Sequence, residues 1–174
     1  NRFFIGTRDQ GIYLYEPQKS ASRNIHSASA TCFFEDKKHS YWIGTDQSGV
    51  FLLNDSLKTI GHFQRNRING LTHNNIRKIT DDHHGNIWIG TFLGVTIFNP
   101  SDQSFRHLKH DAGDPHSICH NSIYDILKGS QETMWLGTYF GGVSYSHLNP
   151  DIYNRYYYPG REKNQISFPV VGKI

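Results

Sequence analysis

Apolar and polar positions alternate along the chain in short bursts, and clusters of turn-forming residues separate the bursts every 8–12 positions. The clearest stretch predicts four strands in succession. Ile76–Thr80 forms a strand A, and Asp81-Asp82-His83-His84-Gly85-Asn86 turns into strand B, Ile87–Thr91. Phe92-Leu93-Gly94 turns into strand C, Val95–Phe98, and Asn99-Pro100-Ser101-Asp102 leads to strand D, Phe105–Lys109. Period-two patterning between turn signals is the mark of an antiparallel meander, and no stretch sustains the 3.6-residue period of a helix.

The same pattern recurs. Phe4-Ile5-Gly6-Thr7, Trp42-Ile43-Gly44-Thr45, Trp88-Ile89-Gly90-Thr91 and Trp135-Leu136-Gly137-Thr138 are copies of one phrase, their glycines 38, 46 and 47 positions apart. A glycine and a β-branched residue follow each copy, at Gly11-Ile12, Gly49-Val50, Gly94-Val95 and Gly142-Val143. Upstream of each tryptophan, apolar anchors repeat at fixed distances: Ile25, Leu71 and Ile118, then Ala30, Ile76 and Ile123, then Phe33, Ile79 and Ile126. A repeated four-stranded unit of roughly 40–45 residues is the signature of a β-propeller blade. The predicted fold class is therefore all-β. Residues 1–26 supply strands B-C-D of a first blade, full blades span 27–65, 74–110 and 120–158, and 166–174 supply a strand A. That last assignment rests on Ile166, Val171 and Ile174, which match the spacing of Ile118, Ile123 and Ile126.

Each residue of the phrase has a physical task in a blade. Trp42, Trp88 and Trp135 offer large apolar surfaces to fill the gap between blades. Gly44, Gly90 and Gly137 leave room for a neighbour. Thr45, Thr91 and Thr138 suit a strand and can tie down the following turn with the hydroxyl. The glycine before strand C can take the positive φ that a tight hairpin demands. The phrase reads as structural.

At these residues the chain resembles the two-component regulator propeller repeats, through Asn74-Asn75-Ile76, Trp88-Ile89-Gly90-Thr91 and Gly94-Val95. The resemblance implies a fragment of a seven-bladed propeller in the periplasmic ectodomain of an inner-membrane hybrid two-component histidine kinase. Such propellers serve polysaccharide-degrading gut bacteria and also precede other output domains. The implied ligand is an oligosaccharide, whose binding would be passed across the membrane to a kinase dimer. The chain starts at Asn1 and stops within an apolar pattern at Lys173-Ile174, and is expected to be a piece of a longer protein. It contains no kinase, receiver or DNA-binding segment, and an incomplete arc of blades is expected to self-associate through its open edges.

Charge and composition narrow the picture only slightly. A net charge of +3 from 18 basic and 15 acidic side chains, with no basic run, gives no footprint for nucleic acid. No apolar run reaches the roughly 20 residues of a membrane span, so any membrane attachment falls to other parts of the parent protein. Two distant cysteines, Cys32 and Cys119, make neither a disulfide framework nor a zinc set.

Three groups of residues could carry chemistry. His107, His110, His116, Cys119 and His120 have ligand-type side chains, but in a loop, where the His116/His120 spacing does not place two rings on one face. Asp81-Asp82-His83-His84 could pass for an acid–base group but falls in an A–B turn. No catalytic residue, metal or cofactor is assigned on these grounds. The third group is topological, since the B–C turns and D–A connections of a propeller open on one face. Arg8, Asp46, Gln47, Phe92, Tyr139 and Phe140 stand on those turns, and aromatic rings beside amides, Arg and carboxylates suit sugar recognition. They are the candidate ligand-binding residues. Two readings compete with sensing: a propeller lyase of the streptogramin-lyase type, against which the absence of His from the B–C turns argues, and a platform for protein partners.

Overall fold

A computed structural model of the chain describes residues 2–148 and the backbone of Tyr153–Tyr156. The architecture is all-β, as the repeat predicts, with one short 3-10 turn among the described residues, at Pro17–Lys19. The first sheet holds β1 (Phe3–Gly6), β2 (Ile12–Glu16) and β3 (Ala21–His26). The second holds β4 (Ala30–Glu35), β5 (Tyr41–Thr45), β6 (Val50–Leu53) and β7 (Thr59–Phe63), and the third β8 (Ile76–Asp81), β9 (Ile87–Thr91), β10 (Gly94–Asn99) and β11 (Ser104–Leu108). The fourth holds β12 (Ile123–Lys128), β13 (Thr133–Thr138), β14 (Val143–His147) and β15 (Tyr153–Tyr156). Every sheet is an antiparallel meander paired in chain order. The strand A expected at 166–174 lies outside the described residues.

The blades meet through their first strands, β4 against β8 and β8 against β12. Trp42 packs into a cluster with Leu71, Ile76 and Ile79 of the next blade, and Trp88 likewise with Ile118, Ile123 and Ile126. The glycine two places after each of these tryptophans makes the approach possible. A Cβ added at Gly44 would stand 2.7 Å from a methyl carbon of Ile76, and one at Gly90 would stand 2.8 Å from the same carbon of Ile123. The threonine fixes the turn, since Thr45 Oγ1 donates to the Gly49 carbonyl at 2.7 Å and accepts from Ser48 N–H at 2.9 Å. Thr7, Thr91 and Thr138 do the same in their own blades. Gly11, Gly49, Gly94 and Gly142 all have φ between 78° and 100°, the left-handed region in which L side chains are strained.

Candidate functional site

The turn Asp81-Asp82-His83-His84 is committed to structure. The buried Asp82 carboxylate accepts from His84 N–H, Asn86 N–H, the Asn86 amide and, at 3.0 Å, the Trp88 indole N–H. Burial works to raise its pKa, but the hydrogen bonds together hold it below the ordinary carboxylate value. Asp81 pairs with Lys128 at 2.6 Å, and His83 Nε2–H donates to the Gly129 carbonyl at 2.8 Å. With Lys78–Asp125 at 2.9 Å, these contacts rivet the third blade to the fourth. Asp36 meets Trp42 in the same way in the second blade, at 2.9 Å. The fourth blade has Gly129 at that position, against the Trp135 indole.

Three of the histidines grouped between 107 and 120 are engaged one by one, while His116 donates its backbone N–H to Asp114 Oδ1 at 2.8 Å. His107 Nε2–H donates to the Gly70 carbonyl and the His110 Nδ1–H to that of Ile118, each at 2.8 Å. His120 Nδ1 accepts from Ser122 N–H at 3.0 Å. Among the described residues no group of three or more His, Cys, Asp or Glu is gathered to hold a metal. Cys32 packs against Gly44, where burial pushes its thiol up to about 11. Cys119 Sγ lies 3.7 Å from Thr138 Oγ1.

The B–C turns and D–A connections share one face, stitched by backbone bonds. Gly49 N–H donates to the Asn74 carbonyl at 3.0 Å, and Tyr139 N–H to that of Ser122 at 2.9 Å. Each A–B strand pair also slips register after its first residue, between Ala30 and Cys32, Ile76 and Lys78, and Ile123 and Asp125. A bulge leaves one residue outside the ladder and re-aims it. The displaced residues are Thr31, Arg77 and Tyr124, and all three are exposed. On this face, Arg77 Nε donates to Asn75 Oδ1 at 2.8 Å, and the Asn75 amide donates to the carboxylate of Asp46. In the fourth blade Tyr124 stacks on Tyr139 with centroids 6.0 Å apart, and Tyr139 meets Phe140 edge-on at 4.3 Å.

Among the six candidate residues, Tyr139 and Phe140 stand together, and Asp46 is tied to the next blade. Phe92 stands apart from them, with its ring 5.7 Å from that of His73. Arg8 and Gln47 are exposed, and no hydrogen bond holds either side chain among the described residues. Phe92, Tyr139 and Phe140 are 47%, 41% and 56% exposed, so inter-blade packing does not consume them. Sequence reasoning missed Tyr124 and Arg77, because a bulge cannot be read from alternation. It also missed His26 and His73, and weighed His120 only within a metal-type group; the three recur 47 positions apart, at the end of β3 and on the later D–A loops. Each accepts the N–H two residues on through Nδ1, and His73 and His120 stand beside the aromatics of the B–C turns. Histidine is therefore present at this face, supplied by the D–A loops. The periodic signal for it was there to be counted.

The two-component regulator propeller family matches residues 70–92 and 117–140. The two matched stretches each include a strand-B phrase, Trp88–Thr91 and Trp135–Thr138. In these repeats the tryptophan, glycine and threonine of strand B do the work of blade packing described above. Among curated proteins no sequence matches the chain. Among solved structures, it is similar to the extracellular domain of a hybrid two-component system from B. thetaiotaomicron, with 19% identity and a TM-score of 0.75 over 98% of this chain and 22% of that one. A second such extracellular domain from B. thetaiotaomicron has 24% identity and a TM-score of 0.72, over 86% of this chain and 20% of that one. The chain thus spans about a fifth of the length of both. Virginiamycin B lyase from Staphylococcus aureus has 16% identity and a TM-score of 0.56, over 94% of this chain and 50% of the lyase. At these identities the likenesses establish the propeller fold.

Proposed function

We propose that this chain is a ligand-sensing portion of the periplasmic region of a hybrid two-component sensor histidine kinase, and that it detects an oligosaccharide on the B–C face. The carrying observation is the exposed aromatic step of Tyr124, Tyr139 and Phe140. Flat rings in this arrangement stack on the C–H faces of sugar rings, while the Asp46–Asn75–Arg77 chain presents polar groups able to order hydroxyls. The family match and the extracellular domains that resemble this chain support the sensing role. Signal transfer to a cytoplasmic kinase would follow from a difference in affinity between two arrangements of the propellers.

Calorimetry of the protein with a panel of plant and host oligosaccharides tests the reading. Tyr139→Ala combined with Phe92→Ala should weaken binding about thirtyfold, at roughly 1 kcal/mol for each lost ring contact. The melting temperature should hold, because both side chains are exposed. Binding that survives both changes would place the ligand elsewhere.

A further inference from the structure

A cavity of about 310 Å³ opens beside Leu93 of the third B–C turn, lined by Arg65, Asn66, Arg67, Thr72, His107 and Lys109 together with Leu71. Three permanent cations line it and no carboxylate does. None of Arg65, Arg67 and Lys109 meets a carboxylate elsewhere among the described residues. A neighbouring cleft of about 280 Å³ shares His107 and Lys109 and adds Arg106, His116 and a single acid, Asp114.

The loop that carries the two arginines is built to stay in place. Leu71 N–H donates to the Gln64 carbonyl at 2.9 Å, and Asn66 N–H donates to the Leu71 carbonyl at 3.1 Å. Asn66 Oδ1 accepts from Ile68 N–H at 3.0 Å, and Asn74 Oδ1 accepts from Arg65 N–H at 2.7 Å. Gly70 is pressed so close to this loop that an added Cβ would lie 2.6 Å from that of Asn66. His107, bonded through Nε2 to the Gly70 carbonyl, clamps the loop to β11. The backbone that carries Arg65 and Arg67 is thus held in place, and both side chains line the cavity together with Leu71 and Leu93. Planar guanidinium forks match carboxylate and sulfate oxygens in pairs, and an ordered loop beneath them spares the entropy of fixing the backbone on binding. A neutral ligand in the same cavity would offer the cations only neutral hydroxyl acceptors, which bond more weakly than charged ones.

We infer that this cavity binds the acidic substituent of an oligosaccharide, a uronate carboxylate or a sulfate ester, with Arg65 and Arg67 as its main ligands. The inference rests on the saccharide reading of the B–C face and narrows it to acidic glycans. Lys109, just past the end of β11, adds charge to the lining, His107 acts as a positioning residue, and Leu93 meets the apolar face of the sugar ring.

Titration calorimetry of the full chain separates the cases, using neutral arabino- and cello-oligosaccharides, oligogalacturonates and sulfated heparin-derived oligosaccharides. Acidic oligosaccharides should bind at least about tenfold more tightly than neutral ones at low salt, with the advantage shrinking between about 50 and 200 mM salt. The two acidic series distinguish carboxylate from sulfate. Arg65→Gln with Arg67→Gln should weaken acidic binding by about tenfold or more, two charge-assisted hydrogen-bonding groups being lost. The Arg65→Lys, Arg67→Lys pair should recover only part of it. Acidic binding that the Gln pair leaves intact overturns the assignment of the cavity. Binding of neutral oligosaccharides alone overturns the acidic specificity and leaves the saccharide reading standing, whereas no binding by any series removes both.

Discussion

Ile5 and Ile89 occupy the same place in the repeat, two residues before the turn that opens strand C, and the chain treats them differently. Ile89 is fully buried, as are its equivalents Ile43 and Leu136, while Ile5 is 46% exposed. Ile43 clusters with Ile12 of the first blade, Ile89 with Trp42 of the second, and Leu136 with Trp88 of the third, so this side of strand B always looks back to the preceding blade. Nothing among the described residues covers that side of β1. The opposite side shows the converse. Trp42 and Trp88 are 2% and 0% exposed against the blade that follows each, whereas Trp135 is only half-buried. One sequence phrase thus gives different burial according to what stands beside it. A blade's core is completed by its neighbours, as in other repeat architectures where stability resides in the interfaces.

The sharpest way to break this comparison is to truncate equivalent tryptophans. Trp88→Ala removes an indole from a closed interface and should cost about 3–5 kcal/mol, the usual range for emptying a large aromatic site. Trp135→Ala should cost about 1–2 kcal/mol, because part of its surface is wet already. Urea unfolding of the two variants measures the gap. Equal losses would mean that burial within a blade matters more than the interface.

A second comparison lies in the A–B turns. Asp36 and Asp82 each accept the indole N–H of the tryptophan six residues on, while Gly129 offers Trp135 no such carboxylate. Asp82→Ala should destabilise the chain by about 2 kcal/mol, since it leaves the buried Trp88 indole, and the N–H groups of His84 and Asn86, without their acceptor. Asp36→Ala should cost less, because Asp36 itself is only partly buried whereas Asp82 is fully buried. Losses in the reverse order, measured in the same urea series, would detach the effect from burial.

The blades were legible because the residues that define them act locally and repeat. The strand-B glycine, the threonine and the pre-C glycine each have one steric or hydrogen-bonding task, carried out within a few residues or against the next copy. Asp82 was visible only as a turn-former, since its bond to Trp88 depends on how the hairpin folds back. The binding face was half legible. Phe92, Tyr139 and Phe140 could be placed on turns by counting, but Tyr124 reaches Tyr139 only through the bulge after Ile123. The basic cavity draws residues from positions 65 to 109, which no local pattern brings together.

The smallest expected effect concerns the D–A histidines and follows from the same dependence on neighbours. His26, His73 and His120 each accept a backbone N–H through Nδ1, a task only the neutral ring can perform. Burial holds all three below the ordinary imidazole value, with smaller contributions in the same direction from His62, Arg65 and His110 respectively. Between the lowered folded pKa and the unfolded value near 6.5, the unfolded chain binds more protons than the folded one. Stability from these turns is therefore complete above about pH 6.5 and declines as the pH falls through that window. Thermal melts from pH 7.5 to 5 should show the decline, though carboxylates and the other histidines contribute to the raw curve. His73→Asn isolates the turn, because an Asn Oδ1 can accept the same N–H two residues on without titrating. The variant should match the parent at pH 7.5 and lose less on acidification. If the two decline in parallel, the His73 turn is not a source of the pH dependence, and its imidazole stays neutral or exchanges its partner for water without cost.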